Sequence, residues 1–141
     1  MKFWLVVLVF LAVGCATTKK EPPPKPFVGT RWQVVLELPV PGEQPQVRFG
    51  DGRIEGFGGC NRFAARYVQD VVGARSIAIG RIDVVRRLCD PNVQAAESRV
   101  LEVLQSVSSY SITADTMTMT GSGGTLRFIA LPEEGKHEDK K

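Results

Sequence analysis

Three cysteines, one histidine and a scatter of carboxylates are the residues of this 141-residue chain that could carry chemistry. The thiols are Cys15, Cys60 and Cys89, and the histidine is His137. A Cys–His or Ser–His nucleophile needs an imidazole beside the attacking atom. His137 sits in the terminal run Glu133 to Lys141, EEGKHEDKK, which has no apolar residue. Such a run cannot bury surface and reads as a disordered charged tail. A closed zinc site takes four ligands, more than the cysteines supply, so no metal and no other cofactor is expected. Glu37, Glu55, Asp70 and Asp83 show no spacing that pairs them as acid and base, and read as strand-surface charges. Gly121 to Gly124 lacks the Lys-Ser/Thr of a phosphate loop, and Gly56 to Gly59 precedes no helix. The chain therefore reads as non-enzymatic.

Cys15 has a different use. It follows Lys2, an apolar run of 11 residues from Phe3 to Val13, and Gly14. A membrane-spanning helix needs about 20 apolar residues, so the run is too short for one. One positive charge, a short apolar core, small residues and then a thiol make a secretory signal. Residues 1–14 read as the signal peptide, and the stretch resembles the lipobox of bacterial lipoproteins. That resemblance implies acylation of Cys15 and partnership with a membrane through the lipid. Ala16, where an Asp would signal retention, implies an outer-membrane address with the domain facing the periplasm. The formal charge is +3, or +2 once Lys2 is removed with the signal. So small an excess is no nucleic-acid footprint. Arg86-Arg87, the adjacent arginine pair, reads as a solvated strand end.

These residues need a scaffold. Residues 15–26 hold the acylated cysteine and then ATTKKEPPPKP, a semi-rigid spacer. At ~3.1 Å per residue it reaches roughly 30 Å. Residues 27–132 form one small domain. Trp32, Val34, Leu36 and Leu38 alternate with polar neighbours as a half-buried strand. Val47 and Phe49 begin a second strand, Asp51-Gly52 turns it, and Ile54 to Phe63 continues as a glycine-rich third. Tyr67-Val68 and Ser76 to Ile79 are strand-like, and Arg81 to Leu88 is extended. Asp90 and Pro91 open a helix over about 91–107. Its apolar stripe is Val93, Ala96, Val100, Val103, Leu104 and Val107, with Glu97, Arg99, Glu102 and Gln105 away from it. Strands at 110–113, 116–120 and 125–130 close the domain, with Met117 and Met119 on one face. Tyr67 and Phe57 read as core. Hairpins outnumber crossovers, so the fold class is α+β: a curved, partly closed antiparallel sheet with one main helix packed against it.

The stretch from Phe49 to Phe63, ending Gly56-Phe57-Gly58-Gly59-Cys60-Asn61-Arg62-Phe63, resembles the signature of the META domain family, which includes heat-shock lipoproteins of the HslJ type. Its second half is an Arg-x-x-Cys, here Arg86-Arg87-Leu88-Cys89, with Val85 where the family usually has Thr. The resemblance implies a small antiparallel α+β domain and a role in envelope integrity or in stress or drug tolerance. It transfers no catalytic residue. Gly56, Gly59, Cys60, Asn61, Arg62, Phe63, Arg86 and Cys89 are thus expected to be structural motif positions. Glycines there would permit a bulge or close approach, and Asn61 would satisfy backbone groups at a bend. With Cys15 acylated, Cys60 and Cys89 are left in an oxidising compartment, either bridged, the preferred reading, or as two buried thiols. The expected function is binding of a protein or apolar ligand. The alternative is a pilotin-like chaperone for an outer-membrane protein or lipid tail, a likeness of fold alone.

Overall fold

A computed structural model describes residues 20–133. The signal segment, Cys15 and His137 lie outside the described residues. Residues 20–26 are exposed and without regular structure, as a run of prolines requires.

Nine strands and one helix follow: β1 Arg31–Val34, β2 Gln46–Phe49, β3 Arg53–Phe57, β4 Arg62–Gln69, β5 Ile77–Ile79, β6 Asp83–Val84, α1 Pro91–Ser106, β7 Val107–Thr113, β8 Thr116–Gly121 and β9 Gly124–Ala130. They form one sheet in the order β5-β4-β3-β2-β1-β9-β8-β7, with β6 also on β4. Every ladder is antiparallel. The two ends of the sheet nearly meet: Ser76 bridges Ser109, and Tyr110 N donates to Arg75 O at 3.0 Å. The result is a nearly closed barrel, with α1 against β5, β8 and β9. The α+β expectation holds.

Alternation puts one residue in two inside. Trp32, Phe49, Ile54, Met117, Met119 and Phe128 are fully buried, joined by Val100, Val103 and Leu104 from the helix. The barrel is thus filled by its own side chains. Asp90 caps the helix, its Oδ1 accepting from Asn92 N at 3.0 Å, and Pro91 follows. Gln105 fastens the helix to the sheet edge. Its Nε2 donates to Ile79 O and Gly80 O at 3.1 and 3.0 Å, and its Oε1 accepts from Ile82 N at 3.2 Å.

Three details differ from the sequence reading. β1 stops at Val34, because its partner strand starts after Pro45, which accepts from Val34 N at 2.8 Å but has no N–H to return. Leu38 is consequently 84% exposed in a loop, while Val40 and Pro45 are buried. The stretch Ile54 to Phe63 is not one strand. It breaks at a turn closed by Gly58 N to Asn61 O at 2.9 Å, with Gly59 at φ 112°. Val107 leaves the helix with extended backbone and begins β7.

Phe27 seals the end of the barrel where the spacer arrives. Its ring stacks on Phe49 at 4.2 Å and lies 4.8 Å from Tyr110 and 5.8 Å from Tyr67. Tyr67 is buried, as expected, and donates to Gly50 O at 2.6 Å, whereas Phe57 is half-buried. Burial pushes the Tyr67 phenol up, aided by the Asp51 charge and opposed by a backbone hydrogen bond from Gly52. Burial also raises Tyr110, aided by Asp70 and opposed by Arg75. These are the chain's two tyrosines. A phenol that ionises later in the folded state than in the unfolded one leaves its contribution intact below about pH 10. Stability then falls as pH rises through the folded value. Absorbance titration at 295 nm should place both midpoints above that of tyrosine amide, with early ionisation appearing on addition of denaturant.

Candidate functional site

The motif residues converge on one carboxylate. Glu97 follows Val93 by four residues and precedes Val100 by three, so it lies on the helix face that meets the sheet. It is 7% exposed. Placing it among the off-stripe residues was therefore incorrect: one turn of the stripe is polar. Glu97 Oε2 accepts from Cys60 N at 3.1 Å and Asn61 N at 2.6 Å, and Oε1 accepts from Asn61 Nδ2 at 2.8 Å. A buried carboxylate is tolerable only when its lone pairs are satisfied. Here backbone and amide donors do that, with no salt bridge to Glu97 among the described residues.

Asn61, itself buried, extends the network. Its Oδ1 accepts from Arg87 N at 2.7 Å. Cys60 is bonded to Cys89, 29 positions on, with Cα atoms 6.0 Å apart. The bridged alternative for the two thiols is thus the one found. Three links now fasten the turn 58–61: to the helix through Glu97, to the segment before the helix through Asn61, and covalently through the disulfide.

The glycines make room for this. A Cβ on Gly58 would stand 2.7 Å from the Cγ and Oε2 of Glu97. A Cβ on Gly56 would meet the Phe63 ring at 2.5 Å and Gln46 O at 2.6 Å, because Gly56 and Phe63 are directly opposed across β3 and β4. Close approach is the reason for glycine at both positions.

Two motif residues take no part in the lock. Arg62 and Arg86 are exposed and line an open cleft of about 610 Å³ on the outside of β3, β4 and β6. Arg81 lines it with them, and Phe63, Ala64, Ile82 and Val84 supply apolar wall. Among the described residues, none of the three arginines has a hydrogen-bond or ion-pair partner. Of the two acids at the cleft, Glu55 is paired with Arg53 at 2.9 Å, leaving Asp83. The cleft is thus cationic and carries unsatisfied guanidinium donors, which suit carboxylates and phosphates. Arg87 is exposed nearby, its backbone held by Asn61. Among the described residues no cluster of three His, Cys, Asp or Glu could hold a metal.

This arrangement has relatives. The META domain family profile matches residues 25–133. The chain belongs to the META domain family. Residues matched by the profile include both halves of the motif and every strand of the barrel. Solved structures share the fold. A protein from Burkholderia xenovorans, determined by NMR, superposes with a TM-score of 0.62 at 18% identity, covering 76% of this chain and 85% of its own. A second NMR structure gives 0.57 at 21% identity over 71% and 87%. A DUF4847 family protein from Bacteroides vulgatus, solved by crystallography, gives 0.55 at 12% identity over 77% and 96%. At such identities the likeness is one of fold. No curated protein matches the chain significantly.

Sequence reasoning grouped Arg62 and Arg86 as structural positions, and the structure separates them from the lock. It missed Glu97 and Arg81. For Glu97 a signal existed: positions 93, 97, 100 and 104 repeat at four, three and four, the spacing of a buried stripe. Arg81 had none, since β6 reaches β4 only through tertiary pairing.

Glu97→Ala strands three donors and should cost about 3–5 kcal/mol in urea unfolding. Glu97→Gln, which keeps the shape and one acceptor oxygen, should cost roughly half as much. Asn61→Ala combined with Glu97→Ala should cost less than the two single losses together, because they share bonds. The disulfide closes a long loop, so Cys60→Ser with Cys89→Ser should remove about 3–4 kcal/mol. Thiol titration of the denatured, unreduced protein should find neither Cys60 nor Cys89 free.

Proposed function

We propose that this META domain protein is a lipid-anchored, non-enzymatic component of the bacterial envelope, held by Cys15 in the outer membrane and facing the periplasm. Its domain works by binding an acidic segment of an envelope protein in the Arg62–Arg81–Arg86 cleft, and so contributes to envelope integrity or stress tolerance. The observation that carries the binding site is the division of labour within the motif. Gly56, Gly58, Cys60, Asn61 and Cys89 are used up in packing and the lock, whereas Arg62 and Arg86 are held in the open without partners. Extended guanidinium side chains are costly to order, and a bidentate anion offsets that cost. The absence of catalysis is supported by the use of the buried carboxylate, Glu97, as a hydrogen-bond acceptor for backbone. The barrel interior is filled by Trp32, Phe49, Phe128, Met117 and Met119, so the pilotin-like alternative has no internal room for a lipid tail and would reduce to peptide docking on the outer surface.

Two measurements test this reading. Metabolic labelling with a clickable palmitate should tag the wild type and not Cys15→Ser, and fractionation should move the variant from membrane to soluble periplasm. Photo-crosslinkers placed at positions 62 and 86 should capture one shared envelope protein that a crosslinker at Thr118, on the far side of the barrel, does not. Capture should drop at least about tenfold on Arg81→Glu, an affinity loss of about 1.4 kcal/mol. Equal capture from all three positions would sink the cleft as the contact surface.

A further inference from the structure

The loop between β4 and β5 presents two adjacent valines to solvent, Val71 at 73% and Val72 at 92% exposure. Nothing in the fold uses them. Yet the loop beneath them is tightly built. Asp70 N donates to Ser76 O at 2.8 Å, Arg75 N to Asp70 Oδ1 at 2.6 Å, Ser76 N to Gly73 O at 3.1 Å and Val72 N to Ser76 Oγ at 3.3 Å. These bonds satisfy part of the loop's backbone, the amides of Asp70, Val72, Arg75 and Ser76, which lowers the cost of placing it in a poorly hydrated medium.

The position of this tip in the barrel names its occupant. Lys25 N donates to Ala114 O, at the β7–β8 turn, and Phe27 packs between Phe49, Tyr67 and Tyr110. Tyr67 lies near the end of β4, which stops at Gln69, just before the loop that carries Val71 and Val72. The spacer therefore leaves the domain at the end of the barrel that carries Val71 and Val72, and the cleft at Arg62 and Arg86 lies at the other end of β4. Cys15 is ten residues before Lys25, a reach of roughly 30 Å at most in extended form. A tether that short raises the effective concentration of an apolar tip at the bilayer enough for a weak contact to be populated.

We propose that Val71 and Val72 are a membrane-contact tip: they insert into the headgroup region of the bilayer that holds the lipid anchor and stand the barrel on end, with the arginine cleft directed away from the lipid. This rests on the anchoring of Cys15 proposed above. The contact is apolar and not electrostatic: Lys25 and Arg75 at this end face Asp51, Asp70 and Asp115, which leaves these groups one negative charge in excess. It gives the cleft a fixed height of about eight strand residues, roughly 26 Å.

The test uses the lipidated full-length protein reconstituted in phosphatidylethanolamine–phosphatidylglycerol vesicles. Trp4 leaves with the signal peptide, and Trp32 is fully buried and out of reach of lipid quencher, so it gives a constant background over which an introduced tryptophan is read. Val72→Trp should shift to the blue and lose most of its emission to brominated lipid, in low and high salt alike. Thr118→Trp and Leu88→Trp should not. Hydrogen exchange of the unsubstituted protein checks that tryptophan itself did not drive insertion: amides 71–75 should exchange several-fold more slowly on vesicles than on Cys15→Ser protein mixed with them. Protein that floats with the vesicles but shows no quenching at position 72, or equal quenching at 88, overturns the tip while leaving the anchor intact. Protein that fails to float overturns the anchor, and the tip with it, through a separate readout.

Discussion

Glu97 accepts three N–H donors from two consecutive residues, and much of the molecule is arranged around that fact. A helix face that meets a sheet is normally apolar, and a carboxylate placed there would cost several kcal/mol if left bare. The turn at 58–61 approaches the helix closely enough to satisfy it only because Gly58 has no side chain in the way. In return the carboxylate fixes the break between β3 and β4, which a run of extended residues would not supply. Asn61 passes the constraint on to Arg87, and the Cys60–Cys89 bond makes it covalent. The helix start, the barrel strands and the loop ahead of the helix are thus referenced to a single buried acceptor.

The remaining architecture depends on filling and closing the barrel. Large side chains from alternating positions occupy the interior, and the gap between β5 and β7 is narrowed by the Ser76–Ser109 bridge. Gln105 is the counterpart of Glu97 one helical stretch further on: it hydrogen-bonds backbone at the end of β5, where the sheet edge would otherwise be left open. Arg99 and Ser106 add bonds to Gly123 at the β8–β9 turn, so four polar residues on one helix do the fastening, while valines and a leucine do the filling. Because the interior is packed, the open surfaces lie on the outside, where the arginines of the cleft stand at one end and residues 20–26 enter at the other.

A division between lock and cleft explains why a single motif contains both buried and exposed residues. The same covalent and hydrogen-bonded frame that orders Cys60, Asn61 and Cys89 also sets Arg62 and Arg86 on one surface, though they are far apart in sequence. A rigid backbone beneath long guanidinium side chains reduces what binding must spend on ordering. In this reading the stability of the motif and the geometry of the contact surface are the same property.

Much of this was legible in the chain itself. Alternation at Trp32 and Val34, the Asp51-Gly52 turn, the Asp90-Pro91 helix start and the closing hairpins are local patterns, set by side-chain direction and backbone freedom within a few residues, and they fix an antiparallel α+β domain. The Gly-Cys-Asn-Arg string was enough to indicate the family. Leu38 shows where local pattern runs out: Leu36 still packs against the core, but Pro45 on the partner strand has no donor to offer, and Leu38 is left in an exposed loop. Helical spacing was enough to put Glu97 on the buried stripe, but its role was beyond a single element, since the N–H groups it accepts come from a turn 36 residues away. Sequence determined the strands, the helix and their inward faces because those depend on near neighbours. Only tertiary structure decided which carboxylate would be buried, which cysteines would meet and which arginines would share a cleft, because each of those depends on partners brought together by the closure of the sheet.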